Sequence, residues 1–327
     1  MIVVTGGAGF IGSNLVAALN ARGEREILVC DRLRSDGKWR NLRKRVLADV
    51  VAPEALLAHM EAGSGIRAVF HLGAISSTTA TDGDLVFETN FRFSHALWDW
   101  CTRTRTPFIY ASSAATYGGG ELGFDDDPAF EAHAALRPLN LYGWSKQQFD
   151  LLALRRAEHQ ATRPPQWAGL KFFNVFGPNE YHKGAMQSLV AKVWPDVDAG
   201  RPARLFRSHR PDYADGGQLR DFVWVGDVVA VMLWLLDNPG VSGIFNVGTG
   251  QARSFEALVS AAYRAVGREP AITFVDMPQE IRGQYQYFTQ ARMERLRAAG
   301  YAEPFTPLED AVGTYVRDFL AAENRYR

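Results

Sequence analysis

The chain has 327 residues, 47% of them apolar, enough for one large domain or two modest ones around a real core. Its 36 basic and 36 acidic residues cancel, and no run of like charge resembles a nucleic-acid arm or a polybasic anchor, which argues against nucleic-acid and membrane partners. Two cysteines, Cys30 and Cys101, make neither a disulfide framework nor a metal-ligand cluster, so no metal and a reducing cytoplasm are expected.

The first apolar run, IVV (2–4), is broken by glycine too soon for a signal peptide and reads as a strand. Further short apolar runs at ILVC (27–30), AVFHL (68–72), PFIYAS (107–112), LKFFNV (170–175) and GIFNVG (243–248) alternate with amphipathic segments. That rhythm predicts an α/β fold with parallel strands buried on both faces. VVAVMLWLL (228–236) falls well short of the roughly 20 residues needed to span a bilayer and reads as a buried helix. Gly, Pro and charges interrupt the rhythm over 176–221, and the tail from 251 reads as helices plus irregular segments. A discontinuous dinucleotide-type sheet domain, 1–175 with 222–250, is therefore expected beside a smaller substrate lobe, 176–221 with 251–327.

TGGAGFIGSN (5–14) follows the first strand and opens a helix. Gly6 and Gly9 allow a tight turn and backbone approach to a pyrophosphate, Gly12 allows close helix packing, and the helix start at Phe10 and Ile11 offers free N–H donors. Asp31 follows the second strand, about 20 residues on, where a carboxylate can bind the adenosine ribose. Arg32 and Lys38 stand beside it and can neutralise a 2′-phosphate, so NAD and NADP both remain open, with a lean to NADP. Asp49, read as following a third strand, is a candidate for the adenine amine.

YGWSK (142–146) begins a helical segment and places Tyr142 and Lys146 four residues apart on one face. There an ammonium can stabilise a phenolate and make the tyrosine a usable base. The Ser113 hydroxyl, at the end of YASSAATYGG (110–119), can hydrogen-bond the reacting oxygen. Arg220, before FVWV, suits bidentate contact with a diphosphate.

With the glycine loop, Asp31, SSAATYG and YGWSK, the chain resembles the extended short-chain dehydrogenase/reductase family, whose fold is a Rossmann-type doubly wound parallel sheet with a smaller C-terminal substrate lobe. The likeness continues through HLGAISS (71–77), Asn90 in ETNF, NVFGP (174–178), RDFVWVGDV (220–228) and GIFNVGTG (243–250). It implies cofactor contacts at Leu72, Gly73, Ala74, Ile75, Ser76, Asn90 and Val175, with Lys146 on the cofactor ribose. Family dehydratases carry an Asp-Glu pair after the catalytic Ser/Thr; here Ser113-Ala114-Ala115-Thr116 stands there, which disfavours dehydration.

SSTT followed by DG (76–83), PLNLYGWSK, FNVFGP followed by HKG, FTQ (288–290) and LRAAGY (296–301) resemble one branch, the epimerases that invert C6″ of an ADP-activated heptose for lipopolysaccharide assembly. Inverting a carbinol moves its oxygen between two positions, and one base within hydrogen-bond reach of about 3 Å cannot readily serve both. The resemblance puts Lys183 at the second acid/base and near the cofactor, with Tyr142 the first and His182 a neighbour. It further implies substrate contacts at Ser113, Asn174, Ala185, Lys192, Phe206, Arg207, Ser208, His209 and Tyr285, an ADP-heptose substrate, and a homo-oligomer, pentameric in that branch. Ala185 replaces a usual Ser, Pro53 a cofactor lysine, and the 207–219 loop is long. Another nucleotide-sugar epimerase, such as a UDP-hexose 4-epimerase, is the alternative, with a non-catalytic NADP-binding protein behind it.

Overall fold

The runs at 2–5, 27–30, 68–71 and 243–247 are buried along their whole length, the condition a parallel strand between helical layers requires. The protein is described here by a computed structural model covering residues 1–63, 65–282 and 286–327. Its strands are β1 (Ile2–Thr5), β2 (Ile27–Cys30), β3 (Asp49–Val51), β4 (Ala68–His71), β5 (Phe108–Ser113), β6 (Trp167–Phe172), β7 (Asn174–Phe176), β8 (Ala203–Phe206), β9 (Leu219–Trp224), β10 (Gly243–Val247), β11 (Ala252–Ser254) and β12 (Ile272–Val275).

Seven of these form a parallel sheet in the order β3-β2-β1-β4-β5-β6-β10. Alternate side chains feed opposite layers: Ile2, Val4, Ile27 and Val29 pack with helices Phe10–Ala21 and Val225–Asp237, whereas Val3 and Leu28 pack with helices Phe93–Thr104 and Leu141–Ala157. The chain runs outward from β1 to β3 and then returns to the other side of β1 at β4. That reversal is a topological switch point, where a crevice opens beyond the carboxyl ends of the strands.

A further core gathers Phe176, Val197, Leu205, Phe222, Val259 and Tyr315 around helices Leu189–Asp198, Phe255–Arg264 and Leu308–Tyr315. Two small sheets serve it, β11-β9-β7 and β12-β8. Three expectations are corrected here. LKFFNV is not one strand: the chain breaks at Phe173, and Asn174 leaves the main sheet to pair with Phe222. FVWV belongs to the three-stranded sheet rather than the large one. The tail also carries two strands: β11 (ARS) is too short and polar to leave an apolar run, whereas β12 (ITFV) leaves one as long as that of β1, but only partly buried. Among the described residues no helix is long and apolar enough to cross a membrane, and 228–236 lies within the buried helix Val225–Asp237.

Candidate active site

A cleft of about 1200 Å³ opens at the switch point, with Gly6, Gly9, Phe10, Ile11 and Gly12 on one wall. Volume on that scale exceeds a typical small-ligand pocket and suits two nucleotides lying together. The helix Phe10–Ala21 begins at Gly9 without a side-chain cap, so its first amides face the cleft. A Cβ at Gly12 would stand 2.2 Å from the Gly6 carbonyl oxygen, closer than any contact allows. Glycine is thus forced by packing, and the residues present fit a dinucleotide pyrophosphate on this helix start. Gly12→Ala is expected to weaken nicotinamide cofactor binding more than about 100-fold through displacement of the cradle, checked by calorimetric titration.

Asp31 ends up half-buried in the cleft, accepting from the Ala8 amide at 2.9 Å and from Lys38 Nζ at 2.8 Å. Arg32 is exposed beside it, with its guanidinium turned to Glu54. Asp49 is a correction of position: it opens β3 instead of following it, at the amino end of the strand, and is exposed, not among the residues lining the cleft. Pro53 is the first residue of helix Pro53–Ala62.

On the other side of β1, Leu72, Gly73, Ala74 and Ser76 line the cleft, and Ile75 between them is half-buried. Asn90 stands behind this stretch. It is fully buried on a π-helical turn, Glu88–Arg92, and its amide accepts from the Ile75 N–H at 2.8 Å and donates to the Ile75 carbonyl and Ser145 Oγ, both at 3.0 Å. With its amide committed to the protein, it shapes the 72–76 loop from behind.

Asn140 caps helix Leu141–Ala157 by accepting from the Gly143 amide at 2.9 Å, and Gly143 presses so close to the 114–117 turn that a Cβ would lie 2.6 Å from the Ala115 oxygen. That approach brings Tyr142 against Ser113, whose hydrogen bond lowers the phenol's pKa; burial and the charge of Asp150 raise it, and burial prevails. In the protein alone, then, the phenol sits above its usual range. Burial drives the Lys146 ammonium down to about 8, with Asp150 one turn further along the helix opposing. Tyr142, Ser113 and Lys146 all line the cleft.

Facing them is the turn Tyr181–Met186. Its approach is fixed by Asn14 and Asn41, which donate to the carbonyls of Pro178 at 2.9 Å and Asn179 at 3.0 Å. Asn179 itself takes a left-handed conformation, φ 74°, and donates to Ser13 Oγ. The first helix therefore holds both the pyrophosphate cradle and the loop bearing Lys183. Lys183 lines the cleft with Nζ 5.2 Å from the Phe10 ring centroid, and burial and Lys192 lower its pKa against the pull of Glu180. His182 also lines the cleft, its pKa lowered first by burial and then by Lys38.

Asn174, Val175, Lys192 and Phe206 line the cleft as well. Ala185, Arg207, Ser208 and His209 do not: Ala185 faces out from the turn, Arg207 pairs with Asp215, the Ser208 amide donates to Asp215, and the His209 amide donates to Tyr287. Arg220 is buried behind the lining, donating to the carbonyls of Leu219 and Gln286 and stacked on Phe255 at 5.5 Å. Asp221 accepts instead from Thr249, Gly250 and Ala291, and Asp227 from Thr306. Tyr285 lies outside the described residues. Sequence reasoning missed Asp196, Arg204, Gln218, Phe255 and Asp276, lining residues that come from separate segments with no fixed spacing to betray them.

Residues 2–248 match the model of the NAD dependent epimerase/dehydratase family, and the chain belongs to that family. It is 50% identical to the ADP-L-glycero-D-manno-heptose-6-epimerase of Nitratidesulfovibrio vulgaris (strain DP4) and 45% identical to the protein of that name from Fusobacterium nucleatum, with 100% of both chains covered in each case. The crystal structure of the Helicobacter pylori ADP-L-glycero-D-manno-heptose-6-epimerase matches with a TM-score of 0.80 and 29% identity over 98% of this chain and 96% of that one. Thermus thermophilus UDP-glucose 4-epimerase in complex with NAD gives 0.75 and 26% over 98% and 99%. Family and NAD-bound neighbour agree with the cradle in supporting a nicotinamide cofactor.

Proposed function

We propose that this chain is an isomerase that converts ADP-D-glycero-D-manno-heptose to its L-glycero epimer at C6″, in the cytoplasm, for lipopolysaccharide assembly. The observation that carries the reading is the convergence of Tyr142 and Lys183 on one cleft from two separate elements, in a chain half identical along its length to a heptose epimerase. The bound nicotinamide supplies hydride removal and return at C6″. Tyr142 takes the hydroxyl proton on one side of the carbon, Ser113 steadies the oxygen, and Lys183 delivers or takes the proton on the other. Lys146 anchors the cofactor ribose, the 1–175 and 222–250 segments hold the cofactor, and 176–221 with 251–327 hold the sugar nucleotide. Association into a homo-oligomer, pentameric by the resemblance, belongs to the same proposal.

The test is incubation with ADP-D-glycero-D-manno-heptose, following C6″ by proton NMR. Accumulation of the L-glycero form is expected; no inversion alongside turnover of UDP-glucose would favour the 4-epimerase alternative, and no turnover of either a non-catalytic protein.

NADP is the cofactor this reading favours, because Lys38 is already clasped to Asp31 and Arg32 stands at the rim. A 2′-phosphate could draw Lys38 from Asp31 and Arg32 from Glu54, both held beside the ribose position, whereas a bare ribose would have to compete with Lys38 for the carboxylate. Lys38→Ala is expected to weaken NADP binding about 10- to 100-fold, the worth of one charge-assisted hydrogen bond, while NAD binds no more weakly. Paired calorimetric titrations with the two dinucleotides check it.

A further inference from the structure

Glu180 lies under the turn that carries Lys183 and is fully buried, where a carboxylate is costly unless its oxygens are met by donors. They are met by four. The Gly177 and Ser188 amides, the Ser188 hydroxyl at 2.6 Å and the Tyr315 phenol at 3.0 Å all donate to it. These donors come from the loop before the turn, from the residue that caps helix Leu189–Asp198, and from helix Leu308–Tyr315. A carboxylate only accepts, and so matches the set; a glutamine would turn its own NH₂ against at least one donor.

Two ammonium groups of the cleft share this buried charge. Lys183 stands one turn on, its amide donating to the Glu180 carbonyl at 3.0 Å, and Lys192 lies on the helix that Ser188 caps. Burial lowers both lysines and Glu180 raises both. The remaining groups facing Lys183 are Lys192 itself, the adjacent His182, the Phe10 ring from the first helix, and Tyr142 and Lys146 across the cleft. Asp31, in the same cleft, is paired with Lys38, and the carboxylate acting on Lys183 is Glu180.

We propose that Glu180 is a positioning residue for the reaction, a buried counter-charge that fixes the Lys183 turn to the Lys192 helix and keeps an ammonium available at Lys183. The proposal rests on Lys183 being the second acid/base.

The chain has only six lysines, so ¹³C-dimethylation of the cofactor-bound protein gives a spectrum of few signals. The Lys183 signal is assigned by its loss in Lys183→Met. In Glu180→Gln its titration midpoint is expected to fall by about one pH unit, the lower end of the effect of a nearby opposite charge. The kcat of the unlabelled variant is expected to fall about tenfold above neutral pH, following that loss of ammonium, with KM little changed. An unmoved midpoint overturns the proposal, however much stability the variant loses, because a mere brace would cost stability alone. Should Glu180→Gln not fold, Tyr315→Phe removes one donor and leaves the charge; the midpoint should then hold, and a fall would overturn the proposal. Undiminished turnover in Lys183→Met would remove both residues from the reaction, whereas lost turnover there with an unmoved midpoint in Glu180→Gln would remove Glu180 alone.

Discussion

Lys183→Met is expected to lower epimerisation by about 10²- to 10⁴-fold, the range spanned by a lost general acid or base. Methionine keeps the length and apolar body of the side chain, so the contact with the Phe10 ring survives while the proton is lost. Cofactor content should be unaffected, since the pyrophosphate cradle at Gly6–Gly12 is built from backbone on the first helix. The comparison to make is kcat by NMR against nucleotide bound per chain by absorbance. Loss of both together would mean that Lys183 holds the cofactor rather than the reacting oxygen. Wild-type kcat would show that a single base suffices, as in epimerases that turn the sugar instead.

The second large effect is on stability. Lys171→Met should cost about 3–5 kcal/mol, because it orphans a fully buried carboxylate. Lys171 and Asp150 are both wholly excluded from solvent and meet at 2.8 Å; Lys171 also donates to Thr116 Oγ1 at 2.6 Å, and Asp150 accepts from Tyr110 at 3.0 Å and Ser112 at 2.7 Å. In a chain of this size such a loss corresponds to a fall in Tm of about 4–7 °C, read by calorimetry with cofactor saturating. Asp150→Leu combined with Lys171→Met removes both charges and should recover part of that loss, the usual asymmetry of buried pairs. Because Asp150 also raises the pKa of Lys146, the same ion pair links the core beneath the helix to the cleft above it.

What the sequence revealed, and what it hid, follows from how locally each feature is encoded. The glycine cradle, Asp31 and the Tyr142/Lys146 pair lie within single turns or at a fixed distance from a strand, and their spacing carries geometry directly. Lys183 was reached only through resemblance, since a lysine in a loop has no periodicity to mark it. Asp49 was misplaced because a three-residue strand has no pattern, so a shift of three residues carried it from one end of the strand to the other. Asn90 is marked by resemblance alone, and its hold on Ile75 depends on a π-helical turn that composition does not announce. Lys171, in the middle of LKFF, was visible as a charge inside an apolar run and could have been flagged as needing a buried partner. The far wall of the cleft was hidden for a different reason: Arg204, Gln218, Phe255 and Asp276 meet only when two small sheets and three helices pack together.

The central claim is that one carbon is oxidised and reduced in place while Tyr142 and Lys183 handle the oxygen's proton on its two sides. Substrate carrying deuterium at C6″ tests this most directly, with product analysed by NMR after turnover in ordinary water. The account predicts the L-glycero epimer with its deuterium still at C6″. Replacement of that deuterium by solvent hydrogen would contradict it, since the carbon would then have been inverted by proton removal and not by oxidation.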